Sequence, residues 1–315
     1  MSGEPPRQPK DMPGLLKFCL EATRGEDAVE RPDDVLSSMD EERKAWLQEA
    51  LNGMSVDVIE QLTNGMKILL SDTADLDQKE ETLDCLEDWL GNIDNANNFH
   101  KIGGFSALKH CLNSNHPSLR TGSAHLVAEL SQNNDYCQEK FTQDGFIQLL
   151  ISQLDLDTDQ ACRVKAMYAL SCICREYQPG LDKFCSLDGW SAVLRAIQSN
   201  EPKLRTKACF FLAAIATINS KIVEDLSKMG LVQQLSHVLH EPSDLTHEQV
   251  LHSILILVKQ SEIARQDALL GELGLEKILN EKIVDMSGKE EFNESVEYCR
   301  QLLSLCFKEE ESADR

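Results

Sequence analysis

One phrase recurs along this chain at a nearly constant distance, and it restricts the fold more than any other feature. A glycine followed by a large apolar residue stands at Gly104-Phe105, Gly145-Phe146, Gly189-Trp190, Gly230-Leu231 and Gly274-Leu275, at intervals of 41, 44, 41 and 44 residues. Most of these pairs open an apolar run with helical spacing, in FSALKHCL, FIQLLISQL, WSAVLRAI and LVQQLSHVL. No strand-like alternation lies between them, so the period is that of stacked helical units rather than propeller blades. Each glycine is expected to end one helix in the left-handed conformation, where a Cβ is unwelcome. A break follows. In HPSLRTGSA, EPKLRTKAC and EPSDLTHEQ it carries proline at the expected first turn of a new helix, where the missing N–H would have no partner anyway. The third and longest helix then appears in the copies RTGSAHLVAELSQ, RVKAMYALSCICR, RTKACFFLAAIAT and THEQVLHSILILV. Small residues inside it (Ser123, Ala166, Ala208) suit close stacking on a continuous core.

Composition agrees with an all-helical chain. Of 315 residues, 42% are apolar but only 5% aromatic, with 16 glycines and 9 prolines. No apolar run is long enough to span a membrane, and the start MSGEPPRQPKDMPG lacks the apolar segment of a signal peptide. Eleven cysteines scattered through helical runs read as buried thiols of a reducing compartment. The expected location is the cytoplasm, with the nucleus left open. A net charge of −22 argues against nucleic acid, whose phosphates would repel it. The charge is uneven. Ser71–Ala96 holds nine acids and one base, Arg163–Lys207 eight bases and four acids, and the stretch from Glu281 onward ten acids and five bases. A basic middle between acidic ends suits a partner of complementary pattern; the alternative is plain solvated helix faces.

The period resembles the armadillo repeat, over about four and a half units between Leu62 and Leu303. The expected fold is all-α: an armadillo-type right-handed α-solenoid of about four repeats with helical caps. In such solenoids the third helices line a concave groove. Placed in register, the groove-facing pairs are Asp84/Asp88, His125/Glu129, Tyr168/Cys172, Phe210/Ala214 and His252/Ile256, and a further turn adds Asn92, Asn133 and Glu176. Packing between helices is the alternative for Phe210, Cys172, Ala214 and Ile256. Armadillo proteins that carry nuclear import signals resemble one another in a ladder of Trp and Asn at these pairs. None survives here, which disfavours an extended-peptide carrier and favours a folded partner.

A closer resemblance rests on GLLKFCLEAT (14–23), MDEERKAWLQEALNGM (39–54), NIDNANNF (92–99), RVKAMYALSCICRE (163–176), LDGW (187–190) and MGLVQQL (229–235). In this order and spacing they look like the armadillo-type nucleotide exchange factors that bind the seventy-kilodalton heat-shock chaperone, from Gly14 to Phe307. Some members carry a longer low-complexity N-terminus than the short Pro-containing lead found here. The resemblance implies a co-chaperone whose concave face grips one lobe of the chaperone's nucleotide-binding domain, opens the cleft, lets ADP leave and so frees the client. It also implies that an N-terminal segment, here Leu15, Leu16, Lys17 and Phe18, occupies the chaperone's peptide-binding domain. A cap on the solenoid is the other reading of that segment.

The implied organisation is a flexible segment at 1–38, a helical cap at 39–79, repeats at 80–273 with unit boundaries near 104, 145, 189 and 230, a C-terminal repeat or cap at 274–307, and an acidic tail at 308–315. Polar-faced ends at Asp40–Met54 and Glu290–Phe307 favour a monomer. No catalytic signature is present: GxGxxG, GxxxxGK[ST] and GxSxG are all missing. Cys172 and Cys174, two apart on a helix, point in different directions, and His237 and His240 lack a third ligand. DCLEDWLGNIDNAN lacks the glycine and closing Glu of a calcium loop. Neither enzyme activity nor a metal or cofactor is expected. The candidate docking residues are Asp84, Asp88, Asn92, His125, Glu129, Asn133, Tyr168, Arg175, Phe210 and His252, with Lys165 and Lys207 at the rim. Tyr168 and Arg175 lead, because Tyr and Arg concentrate binding energy at interfaces. Two functions stay in view: exchange factor, or general armadillo adaptor without exchange activity.

Overall fold

The computed structural model describes residues 57–241 and 244–307. The N-terminal segment with Leu15–Phe18, the stretch Asp40–Met54 and the tail at 308–315 lie outside the described residues. Among those described, every regular element is helical. A pair comes first, α1 (Val58–Leu70) and α2 (Leu76–Leu90). Triplets follow: α3 (Ile93–Lys101), α4 (Gly104–Leu112) and α5 (Pro117–Ser131); then α6 (Asp135–Gln143), α7 (Phe146–Leu156) and α8 (Gln160–Cys174). Next come α9 (Gln178–Ser186), α10 (Gly189–Ile197) and α11 (Pro202–Ile218), then α12 (Ser220–Lys228), α13 (Leu231–Val238) and α14 (Thr246–Gln260). The last three are α15 (Glu262–Ala268), α16 (Leu275–Met286) and α17 (Asn293–Cys306). The long third helices α2, α5, α8, α11, α14 and α17 pack against one another in chain order. Ser123, Ala166 and Ala208 are fully buried inside them.

The recurrent glycines serve two different purposes, where the sequence suggested one. Gly145, Gly230 and Gly274 are left-handed, at φ of +80°, +72° and +57°. In the other two units the left-handed residue comes one position earlier, at Gly103 (φ +93°) and Asp188 (φ +55°). Gly104 and Gly189 instead lie in their helices and are needed for space. A Cβ on Gly104 would sit 2.4 Å from the Phe99 ring, and one on Gly189 would sit 2.2 Å from Phe184. The left-handed residues themselves recur at 42, 43, 42 and 44, a more even period than the glycines show.

Asparagine and serine start most of the first helices. The side-chain oxygens of Asn92, Asn134, Asn219 and Ser261 accept from backbone N–H groups two or three residues on. Pro117 and Pro202 open α5 and α11, as expected. The third such proline does not open its helix: Pro242 is outside the described residues and α14 starts at Thr246. Asp244 holds that turn instead, its Oδ1 accepting from the Thr246 backbone N–H at 2.8 Å.

Aromatic packing works at two levels, between neighbouring triplets and within one. Phe105 stacks on Phe141 with centroids 4.0 Å apart, and Trp190 stacks on Phe211 at 5.4 Å with Phe184 edge-on to both. Arginines near the start of the third helices tie the loops. Arg120 donates to Asp157 at 2.6 and 2.7 Å and to the Ser114 carbonyl. Arg163 donates to the Leu154 carbonyl. Arg205, 3% exposed, donates to the Ile197 and Ser199 carbonyls and to Glu241 at 2.8 Å. His247 holds the same register on α14; it is buried, and Lys282 Nζ lies 3.0 Å from its Nδ1. Side-chain hydrogen bonds between units, among the described residues, join positions 34 to 44 apart, one unit along. The described cysteines are all free. Cys85 and Cys185 are exposed, which corrects the expectation of uniformly buried thiols.

Candidate docking face on the third helices

Side chains four apart on a helix share a face, and the predicted pairs lie along the third helices with differing exposure. Asp84 and Asp88 are exposed on α2, and neither is ion-paired among the described residues. His125 and Glu129 are half-buried on α5. On α8, Lys165 and Tyr168 are half-buried and Cys172 is 7% exposed, and Arg175, which caps the helix end, is half-buried. On α11, Lys207 and Ala214 are half-buried and Phe210 is 49% exposed, so Phe210 is not consumed by packing. On α14, His252 and Ile256 are half-buried.

These groups form a ladder from helix to helix. His125 Nε2 lies 3.1 Å from Glu87 Oε1 and its Nδ1 lies 3.6 Å from Glu129 Oε1. The Tyr168 hydroxyl donates to Glu129 at 3.2 Å and receives the Gln132 amide. Lys207 Nζ stands 4.4 Å from the centre of the Tyr168 ring, and the Arg175 guanidinium carbon 5.4 Å from that of Phe210. Farther along, His252 stacks on Tyr298 at 5.1 Å. Burial pushes the Tyr168 phenol up, with Cys172 and Glu129 adding to it. Burial also raises the Cys172 thiol to about 11, although Arg175 pulls it back. Lys165 is lowered by burial, opposed by Glu87 and Glu129 and reinforced by Lys207. His252 is lowered by burial.

The extra turn predicted for the stripe is not there. Helix α2 ends at Leu90, α5 at Ser131 and α8 at Cys174. Asn92 is therefore a cap, its amide oxygen accepting from Asp94 and Asn95. Asn133 is a left-handed turn residue at φ 51°, and Glu176 lies in the turn before α9. Helix α11 runs longer and carries the face onward with Ile218, 69% exposed, which the sequence reading passed over. Glu87 and Tyr298 were passed over as well. Tyr298 was findable by carrying the register of His252 into the next unit, whereas Glu87 is set by how α2 and α5 meet. Among the described residues no cluster of three His, Cys, Asp or Glu is placed to hold a metal. His237 and His240 are both exposed, with ring centroids 6.0 Å apart. The face offers rings, charges and hydrogen-bond donors for a partner surface.

Comparison with known proteins adds to this geometry. A family model for the nucleotide exchange factor Fes1 matches residues 12–99, and one for the SIL1/FES1/HPBP1 C-terminal domain matches residues 95–184. Hsp70-binding protein 1 of Mus musculus is 32% identical over 98% of this chain and 90% of its own length. The Homo sapiens protein of that name is 32% identical over 98% and 89%. Hsp70 nucleotide exchange factor FES1 of Saccharomyces cerevisiae is 27% identical over 63% and 71%. Among solved structures, the designed armadillo repeat protein YIII(Dq)4CqI superposes with a TM-score of 0.63 at 19% identity, over 78% of this chain and 99% of that one. An engineered protein superposes with a TM-score of 0.65 at 15% identity, over 80% and 99%. The fold is thus an armadillo-type α-solenoid.

Proposed function

Because the chain belongs to the family of Hsp70-binding protein 1 and the Fes1 nucleotide exchange factors, we propose that its third-helix face grips the nucleotide-binding domain of Hsp70 and promotes release of ADP. The role is that of a co-chaperone: exchange lets ATP enter and the client leave. The continuous ladder from Glu87 to Lys207 across α2, α5, α8 and α11 supports this reading. No bond need be broken. A face that binds the open nucleotide domain better than the closed one by about 1.4 kcal/mol shifts that equilibrium tenfold. We take the protein to be a non-catalytic, cytoplasmic monomer. We assign Leu15, Leu16, Lys17 and Phe18 to the chaperone's peptide-binding domain. A general armadillo adaptor would bind without changing nucleotide kinetics.

Stopped-flow release of a fluorescent ADP analogue from Hsp70 separates the two. Acceleration that rises with concentration and survives deletion of residues 1–38 supports exchange by the solenoid. Tyr168→Ala or Arg175→Ala should weaken binding by more than about 1 kcal/mol. Unchanged release despite measurable binding leaves the adaptor.

A further inference from the structure

Three cations stand along the face in an arrangement that stability does not explain, with Lys207 acting both on Lys165 and on Cys172 beside Arg175. Lys165, Arg175 and Lys207 are each half-buried, yet none donates to a carboxylate or carbonyl among the described residues. By contrast, the half-buried or buried Arg120, Lys140 and Arg205 all have carboxylate partners. Arg175 Nε is itself buried without a hydrogen-bond partner. The acids that act on Lys165, Glu87 and Glu129, are engaged elsewhere, Glu87 with His125 and Glu129 with His125 and the Tyr168 hydroxyl. Desolvating a cation without pairing it costs free energy, and here Lys165 and Lys207 also repel each other. The chain has 53 acids for 31 bases, so a shortage of carboxylates is not the cause. Phe210, against the Arg175 guanidinium, and Ile218, about two turns farther along α11, stand 49% and 69% exposed.

We infer that Lys165, Arg175 and Lys207, with Phe210 and Ile218, form a receptor for an acidic protein segment that carries a projecting apolar side chain. Arg175, stacked against Phe210, presents a planar fork suited to one carboxylate. Lys207, seated on the Tyr168 ring, and Lys165 neutralise further negative charge. Phe210 and Ile218 cover the apolar side chain and exclude water from the ion pairs, which strengthens them. The unfavourable field in the free protein is relieved when the acidic segment arrives. The remainder of the chain is strongly acidic, so this site is also the place where an acidic partner surface would be least repelled. This inference rests on the reading of the third-helix face as the Hsp70 docking surface.

The test compares full-length protein with Lys165→Gln/Arg175→Gln/Lys207→Gln. Affinity for the Hsp70 nucleotide-binding domain is measured by calorimetry at 50 and 500 mM NaCl, alongside thermal melting. The expected result is a loss of at least tenfold at low salt, a flattened salt dependence and a melting temperature equal to or above wild type. Phe210→Ser should weaken binding at both salt concentrations alike. If wild type neither binds nor accelerates ADP release, the reading of the face fails. If wild type does both while the triple variant matches its affinity and salt dependence, the receptor alone is overturned. A triple variant that melts lower and binds in proportion to its folded fraction overturns it too, because the cations would then be structural.

Discussion

Replacing Gly189 by alanine tests the reading that this glycine supplies room rather than backbone freedom. The residue lies in α10 and the left-handed turn belongs to Asp188, so a helix-propensity argument alone predicts a gain of about 0.5–1 kcal/mol. The added Cβ, however, would lie 2.2, 2.4 and 2.5 Å from three carbons of the Phe184 ring, against the roughly 3.5–4 Å at which carbons are comfortable. The ring has no room to retreat. It is fully buried, with Trp190 at 5.4 Å and Phe211 at 5.5 Å. Overpacking of this kind costs about 1–3 kcal/mol, and the locked ring places the site at the upper end. We expect a net loss of about 2 kcal/mol, or a fall of roughly 3 °C in Tm for a chain of this size. Urea unfolding followed by circular dichroism reads it. Gly91→Ala is the control, since Gly91 is right-handed and a Cβ there meets nothing within 4 Å; it should be neutral or mildly stabilising. In a Phe184→Leu background the penalty at Gly189 should shrink by at least about 1 kcal/mol. A Gly189→Ala protein as stable as wild type, or a penalty left unchanged once the Phe184 ring is replaced by the smaller leucine side chain, would refute the argument.

Two further outcomes follow from the buried charges. His247 has its pKa lowered to about 4 by burial, then by Lys282, with Arg205 also lowering it and Asp244 and Glu241 opposing. The unfolded chain therefore binds a proton that the fold does not, and stability should fall as pH drops from about 6.5 to 4, by roughly 2 kcal/mol after allowance for screening. His247→Gln should remove that slope in denaturation curves taken at pH 7, 5.5 and 4.5. Arg205→Ala leaves two loop carbonyls without their donor and should cost about 2–3 kcal/mol in urea unfolding, whereas Glu241→Gln keeps both carbonyl bonds and an acceptor for Arg205 at a half-exposed position, and should cost less.

Helices and their order were legible because the period repeats an entire local grammar: cap, turn, apolar run, break. What the sequence hid depends on neighbours in space. Gly104 and Gly145 occupy equivalent places in the written pattern, but only the first has a phenylalanine ring beneath it. Asn92 fell on the stripe by register yet is spent on capping α3, because α2 stops two residues earlier than a continued turn requires. Tyr168 and Phe210 hold the same register and differ in exposure, since Tyr168 is half-buried with Lys207 over its ring while Phe210 is left open. Arginines 120, 163 and 205 were visible as an alignment mark, but their targets lie in loops whose path no periodicity describes.

The reach of the cross-unit bonds, never more than 44 residues among those described, bears on how the chain is made. A helix emerging during synthesis has all its later partners in the unit directly behind it. At about 5–20 residues per second, the following unit arrives within roughly 2–9 seconds. No helix waits for the far end of the polypeptide, so assembly can travel along the nascent chain at the pace of translation. At each moment the raw, uncovered surface is about one unit wide, and it is the surface on which the next triplet will settle.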